Sequence, residues 1–152
     1  KPYEGVIETI QKLKNENDGV RMVILSNSSK RQSHSIKMLK KLGFNPDDFD
    51  DIITSGEVSH RMLSGDDALN CDTWECLTNL MKNDGNNDSK KVFVYGSGSN
   101  DEEYCTSAGW ELASVNEANL ILARGTFTIN DGCGAVVDKN EDAEQYNQML
   151  AE

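Results

Sequence analysis

Apolar residues Val6, Ile7, Ile10 and Leu13 recur at helical spacing between Gly5 and the turn-forming Asn17-Asp18-Gly19, which predicts an amphipathic helix. Met22 to Leu25 is a short unbroken apolar run, too short for a helix core and suited to a strand buried on both faces of a parallel sheet. A second helix is predicted from about Lys30 to Leu42, with Ile36, Leu39 and Leu42 on one face and Gly43 as its stop. Asn45-Pro46-Asp47-Asp48 reads as a turn. Ile52-Ile53 is a short strand that leads through Thr54-Ser55-Gly56-Glu57 into a helix ending near Leu63. Helix, strand, helix, strand in that order implies a parallel sheet with right-handed crossovers.

The pattern changes at Ser64. Residues 65–72 and 83–90 are polar and turn-rich, flanking a predicted helix from Thr73 to Met81, so 65–90 reads as an insertion or a link between lobes. A second α/β unit opens with the strand Val92–Tyr95, followed by G-S-G-S-N-D. Leu120–Ala123 reads as another buried strand and Glu141–Glu152 as the start of a helix; no segment repeats.

The chemistry gathers where the first strand stops. Ser26, Asn27, Ser28 and Ser29 are followed by Lys30 and Arg31. In open α/β sheets ligands bind at the carboxyl ends of strands, and small hydroxyl and amide side chains opening into a helix with unpaired first amides form a seat for phosphate. The competing reading is a polar loop that only caps the next helix.

Composition sharpens this picture. The chain has 152 residues, 37 % hydrophobic and 27 % charged, with a formal net charge of −11; its length suits one domain with a sizeable core. Nine basic residues stand against four acids in residues 1–46, and six against twenty-two in the remainder. The basic part brackets the serine-rich loop and favours a small anionic ligand, while the acidic part argues against a nucleic-acid footprint. No apolar run approaches a membrane span and no signal-peptide pattern is present. The four cysteines (71, 76, 105, 133) form no C-x-x-C pair, and His34 and His60 have no metal-ligand spacing to a cysteine. Reduced structural thiols, no zinc site and a reducing intracellular compartment are expected. A start at Lys1 and an end inside a predicted helix lead to the expectation that this is a piece of a longer polypeptide.

The segments PYEGVIETIQKL (2–13), VILSNSSKR (23–31), LKKLGFNPDDFDDIITSGE (39–57), VFVYGSGSNDEEY (92–104) and EANLILARGTF (117–127) resemble the haloacid dehalogenase-like hydrolases, subfamily IIA with a large α/β cap. The resemblance implies an α/β fold: a parallel Rossmann-like core fragment at 1–64, the polar segment 65–90, and part of an inserted α/β cap at 91–152. It implies that Ser26 holds the transferring phosphoryl group as part of the catalytic machinery. Asn27 and Ser28 would shape the substrate pocket with side chain and backbone amide. It also implies a phosphatase that cleaves a small phosphorylated metabolite through an aspartyl-phosphate, with Mg2+. The family's D-x-D-G motif, its lysine and its metal-binding acids find no match here, so the piece alone is expected to be inactive. The alternative is a nucleotide- or anion-binding α/β module without hydrolytic chemistry.

Two smaller motifs complete the reading. G-S-G-S-N-D after a strand invites a dinucleotide site, but the fingerprint needs glycine where Asp101 stands. A tight strand-to-helix turn capped by Asn100 or Asp101 is favoured. Arg124 could present a cation to substrate, although a surface salt bridge is the expected role.

Overall fold

The computed structural model describes residues 1–16, 19–65, 90–98, 100–130, 132 and 136–151. The predicted helix Thr73–Met81 and nearly all of the segment 65–90 lie outside the described residues, as do Cys71, Cys76 and Cys133. The fold is α/β with parallel strands and helices, and the chain divides into two compact units, Lys1–Val58 and Ser59–Glu152.

In the first unit, helix α1 (Val6–Glu16) precedes strand β1 (Val23–Ser26), helix α2 (Gln32–Lys41), a 3-10 turn at Pro46–Asp48, strand β2 (Asp51–Thr54) and the start of helix α3 (Ser55–Leu63). β1 and β2 run parallel, with Val23 opposite Asp51 and Ser26 opposite Thr54. The strands are pinned at their entry. The Asp50 carboxylate accepts the Met22 N–H at 2.8 Å and Lys14 Nζ at 3.3 Å, and Asp50 N–H donates to Met22 O at 2.7 Å. α2 closes as the sequence predicts: Gly43 takes φ = 91°, and Phe44 N–H and Gly43 N–H donate back to Leu39 O and Lys40 O. This left-handed closure is one that a side chain at 43 would strain.

Burial of β1 on both faces does not hold. Val23 is 49 % exposed and Leu25 81 %, whereas Ile24 and Ser26 are half-buried. Side chains alternate between the faces of a strand, and among the described residues β1 pairs only with β2. Its apolar run therefore has one covered face and one open face.

In the second unit the central strand is β3 (Lys91–Gly96), followed by helix α4 (Asp101–Ser107), strands β4 (Glu111–Leu112), β5 (Leu120–Ala123), β6 (Thr128–Asn130) and β7 (Val137–Asp138), and helix α5 (Ala143–Ala151). β4 and β5 pair with β3 in parallel; β6 pairs with it antiparallel and β7 pairs with β6. Carbonyls alternate in direction along a strand, which sorts the neighbours. Lys90 O, Val92 O and Gly96 O accept from Glu111, Ala113 and Phe127, while Lys91 O and Tyr95 O accept from Asn119 and Arg124. β4 and β6 thus follow one another along one edge of β3, and β5 occupies the other.

Val92, Phe93 and Val94 are buried on both faces of this mixed sheet. Phe93, Ile129, Val137 and Tyr146 form its core cluster, with Tyr95, Ala118 and Met149 packed against it. Trp110 donates its indole N–H to Leu63 O at 2.9 Å, which ties the last turn of α3 into this unit. β5 is not a buried strand as expected: Ile121 is 56 % exposed, because this strand lies along the edge of β3 with alternate residues turned outward. β4, β6 and β7 are too short and polar to leave a period in the sequence.

Burial at two isoleucines yields a direct check. Ile129→Ala should lower stability by about 2–5 kcal/mol, because it empties a core site, while Ile121→Ala should stay within about 0.5 kcal/mol. Urea unfolding followed by fluorescence measures both. Equal losses at the two positions would contradict the packing described.

Candidate functional site

Ser26 stands at the carboxyl end of β1, beside Thr54 at the carboxyl end of β2. It is half-buried, Asn27 is exposed and Ser28 is half-buried. Ser28 N–H donates to Ser26 Oγ at 3.2 Å, and Lys30 N–H donates to Ser28 Oγ at 3.2 Å. These two overlapping hydroxyl-to-backbone turns curl the chain out of the strand. Ser28 O accepts Gly56 N–H at 2.9 Å and the Ser55 hydroxyl at 3.0 Å. Ser28 is thus engaged at its amide, its hydroxyl oxygen and its carbonyl, and its role is to shape the loop. Ser26 Oγ accepts one bond, and among the described residues no protein group takes its hydroxyl hydrogen. The three sequence-predicted residues share one loop, and Ser26 retains a donor there.

The bracing of that loop comes from residues whose function the sequence reading did not single out. Thr54 Oγ1 donates to Lys30 O at 2.8 Å and accepts Glu57 N–H at 3.0 Å, so it caps α3 while holding the loop. Gly56 lies so close to Ser29 O and Lys30 O that a Cβ there would collide with backbone. Glu57 accepts Arg31 Nε at 2.6 Å, Arg31 Nη2 at 3.0 Å and Gln32 N–H at 3.0 Å. The available signal was a Thr-x-Gly-Glu step directly after a short strand, a pattern that also reads as an ordinary helix start.

Asp50 and Asp51 lie away from this loop, and Glu57 is engaged by its bonds to Arg31 and Gln32. Asp51 opens β2, at the end of the strand pair away from Ser26, and accepts Ile52 N–H and Gln32 Nε2. The Met22 N–H, and then Lys14, hold the Asp50 carboxyl below its ordinary value. Among the described residues no group of three His, Cys, Asp or Glu side chains could hold a metal ion.

The sequence profile of haloacid dehalogenase-like hydrolases matches residues 1–111, which spans the whole strand-end loop and continues through β3 and α4. The chain belongs to the haloacid dehalogenase-like hydrolases. Comparison with curated proteins and with solved structures finds no match.

The turn after β3 is of another kind. Asn100 is left-handed (φ = 58°) at the head of α4 and makes no side-chain cap bond. The Asp101 carboxylate instead reaches back, accepting Ser97 N–H at 3.1 Å, Ser97 Oγ at 3.2 Å, Thr128 Oγ1 at 3.2 Å and the Arg124 guanidinium. Arg124 and Asp101 side chains are 5 % and 6 % exposed, and the guanidinium carbon lies 3.7 Å over the Tyr104 ring. The expected surface salt bridge of Arg124 is therefore a buried one. His60 is buried beside it, edge-on to Tyr104 at 5.1 Å and hydrogen-bonded to Ser107 Oγ at 2.9 Å. A side chain at Gly96 would collide with Thr128 and Asp101.

Two outcomes follow from this cluster. Asp101→Ala should cost about 3–5 kcal/mol in denaturant unfolding, because it strands the buried Arg124 charge; a loss under about 1 kcal/mol, the scale of an exposed pair, would contradict the burial. Cys105 is buried, and desolvation outweighs the nearby Arg124 to push its thiol up to about 11. Its raised value favours the native state below the ordinary thiol value of 9.0, and that contribution fades as pH rises from there to about 11. Peptide mapping after iodoacetamide treatment at neutral pH should leave Cys105 unmodified in the native chain and modified in urea.

Proposed function

We propose that this chain carries the phosphate-seating part of a subfamily IIA phosphatase, which hydrolyses a small phosphorylated metabolite through an aspartyl-phosphate. The observation that supports the reading is the position of Ser26: a hydroxyl with a donor to give, at the carboxyl end of a parallel strand, on a loop braced from behind, in a haloacid dehalogenase-like hydrolase. In this reading residues 1–64 are a core fragment, 65–90 the link, and 91–152 part of a cap that selects the substrate.

The chemistry divides between this chain and groups outside its described residues. A carboxylate attacks phosphorus, the ester P–O bond breaks and the alcohol leaves with a proton. Water then attacks the acyl-phosphate, releasing inorganic phosphate and restoring the carboxylate. The Ser26 hydroxyl donates to a phosphoryl oxygen and holds it in line. Asp50 and Asp51 belong to the opposite end of the strand pair and Glu57 is bound to Arg31, so none of these three is placed to attack a phosphate held by Ser26. The subfamily implies Mg2+, but the described residues do not fit such a site, and what they supply is binding and orientation.

A phosphatase assay with p-nitrophenyl phosphate and added magnesium should find the 152-residue chain inactive and a polypeptide extended at both ends active. In the active form Ser26→Ala should lower kcat/KM about ten- to a thousandfold, as loss of an oriented oxyanion donor does. Activity of the 152-residue chain that vanishes on Asp50→Asn or Asp51→Asn would overturn this division of roles. Phosphate binding without turnover in the extended form would favour a non-catalytic anion-binding module.

A further inference from the structure

We infer that Glu57 is a positioning residue for the Ser26–Ser28 seat, acting through Arg31 and the first amide of α2; the inference rests on the phosphate-seat reading. The loop from Ser26 to Arg31 leaves β1 and must enter α2 within a few residues. Its first residue is set by strand pairing with β2. Its middle is held where Ser28 O and Lys30 O accept from Gly56, Ser55 and Thr54. Its far end depends on Glu57. Arg31 occupies the cap position of α2 in extended backbone (φ −62°, ψ 154°) and offers no side-chain acceptor, and the first turn of α2 contains no acidic residue. A helix start has unpaired N–H groups and a partial positive charge. Glu57 supplies both the acceptor and the negative charge from a different element, accepting Gln32 N–H and the Arg31 Nε and Nη2 donors on one carboxylate.

An exposed ion pair alone would contribute little. Here the same carboxylate also takes a backbone donor, so its removal releases a helix start as well as a side chain. The released segment is the one whose course sets Ser28 N–H against Ser26 Oγ. The Glu57 carboxylate bonds to Arg31 and to the first amide of α2, so its effect on a bound anion is exerted through the loop.

The test uses the 152-residue chain titrated with inorganic phosphate, read by amide NMR shifts at Ser26, Asn27 and Ser28, with hydrogen exchange at Gln32 and Lys30. Wild type should respond saturably and Ser26→Ala should bind more weakly. Glu57→Ala should lose about tenfold in phosphate affinity, the scale on which supporting side chains act on the groups they orient. It should also lose protection at the Gln32 amide while Ile24 and Ile53 keep theirs. Glu57→Gln retains an acceptor for Gln32 N–H but loses the charge that holds Arg31, so it should bind phosphate more tightly than Glu57→Ala and more weakly than wild type; if Glu57→Ala does not fold, wild-type affinity in Glu57→Gln overturns the inference. Wild-type affinity in Glu57→Ala, with Ser26→Ala still impaired, overturns the inference alone. No response at Ser26–Ser28 in wild type overturns the functional reading and the inference together.

Discussion

The geometry of the first unit depends on one close fit: the backbone from Ser28 to Arg31 lies against the turn from Thr54 to Glu57. Parallel pairing brings Ser26 and Thr54 side by side at one end of two strands. From there each residue of the turn does a separate job. Thr54 joins Lys30 O to the start of α3, Ser55 and Gly56 hold Ser28 O, and Glu57 receives the head of α2. The fit tolerates no side chain at position 56, where the opposing backbone is already in contact. Neither strand could orient this loop alone, since a four-residue strand leaves its following segment free to take many courses.

The two units contain two strand-to-helix turns of similar composition and opposite character. After β1 the hydroxyls of Ser26 and Ser28 fold the chain outward, and Ser26 keeps a donor. After β3 the donors of Ser97 and Thr128 and the Arg124 guanidinium are all collected by Asp101. That carboxylate takes up the amide and hydroxyl donors that a bound anion would need. The aspartate that breaks the dinucleotide spacing is thus the group that fills the turn from within, and its pairing with a buried arginine makes that turn part of the packed interior of the unit. A buried pair of this kind persists because each ion has its counter-charge and further hydrogen bonds.

The match over residues 1–111 covers the strand-end loop, its brace and the first strand of the second sheet, while the antiparallel additions β6 and β7 follow it. Those additions complete the core around Ile129, Val137 and Tyr146, so the stability of the second unit draws on residues beyond the matched region.

Local patterns by themselves determined α1, α2, α3, the strands near 23, 52, 92 and 120, the turn at Pro46 and the placement of Ser26, Asn27 and Ser28 at a strand end, because periodicity, glycine stops and short apolar runs act within a few residues. Tertiary structure decided what such patterns leave open. Whether an apolar strand has one covered face or two depends on neighbours, which is why Leu25 and Ile121 are exposed although their runs match that of the buried β3. Strands of two or three residues such as β4 and β7 exist only because a partner supplies their hydrogen bonds. The roles of Glu57 and Arg124 were equally hidden: a charged residue in sequence reads as solvated, and only the approach of a distant helix start or a distant carboxylate turns it into a structural tie.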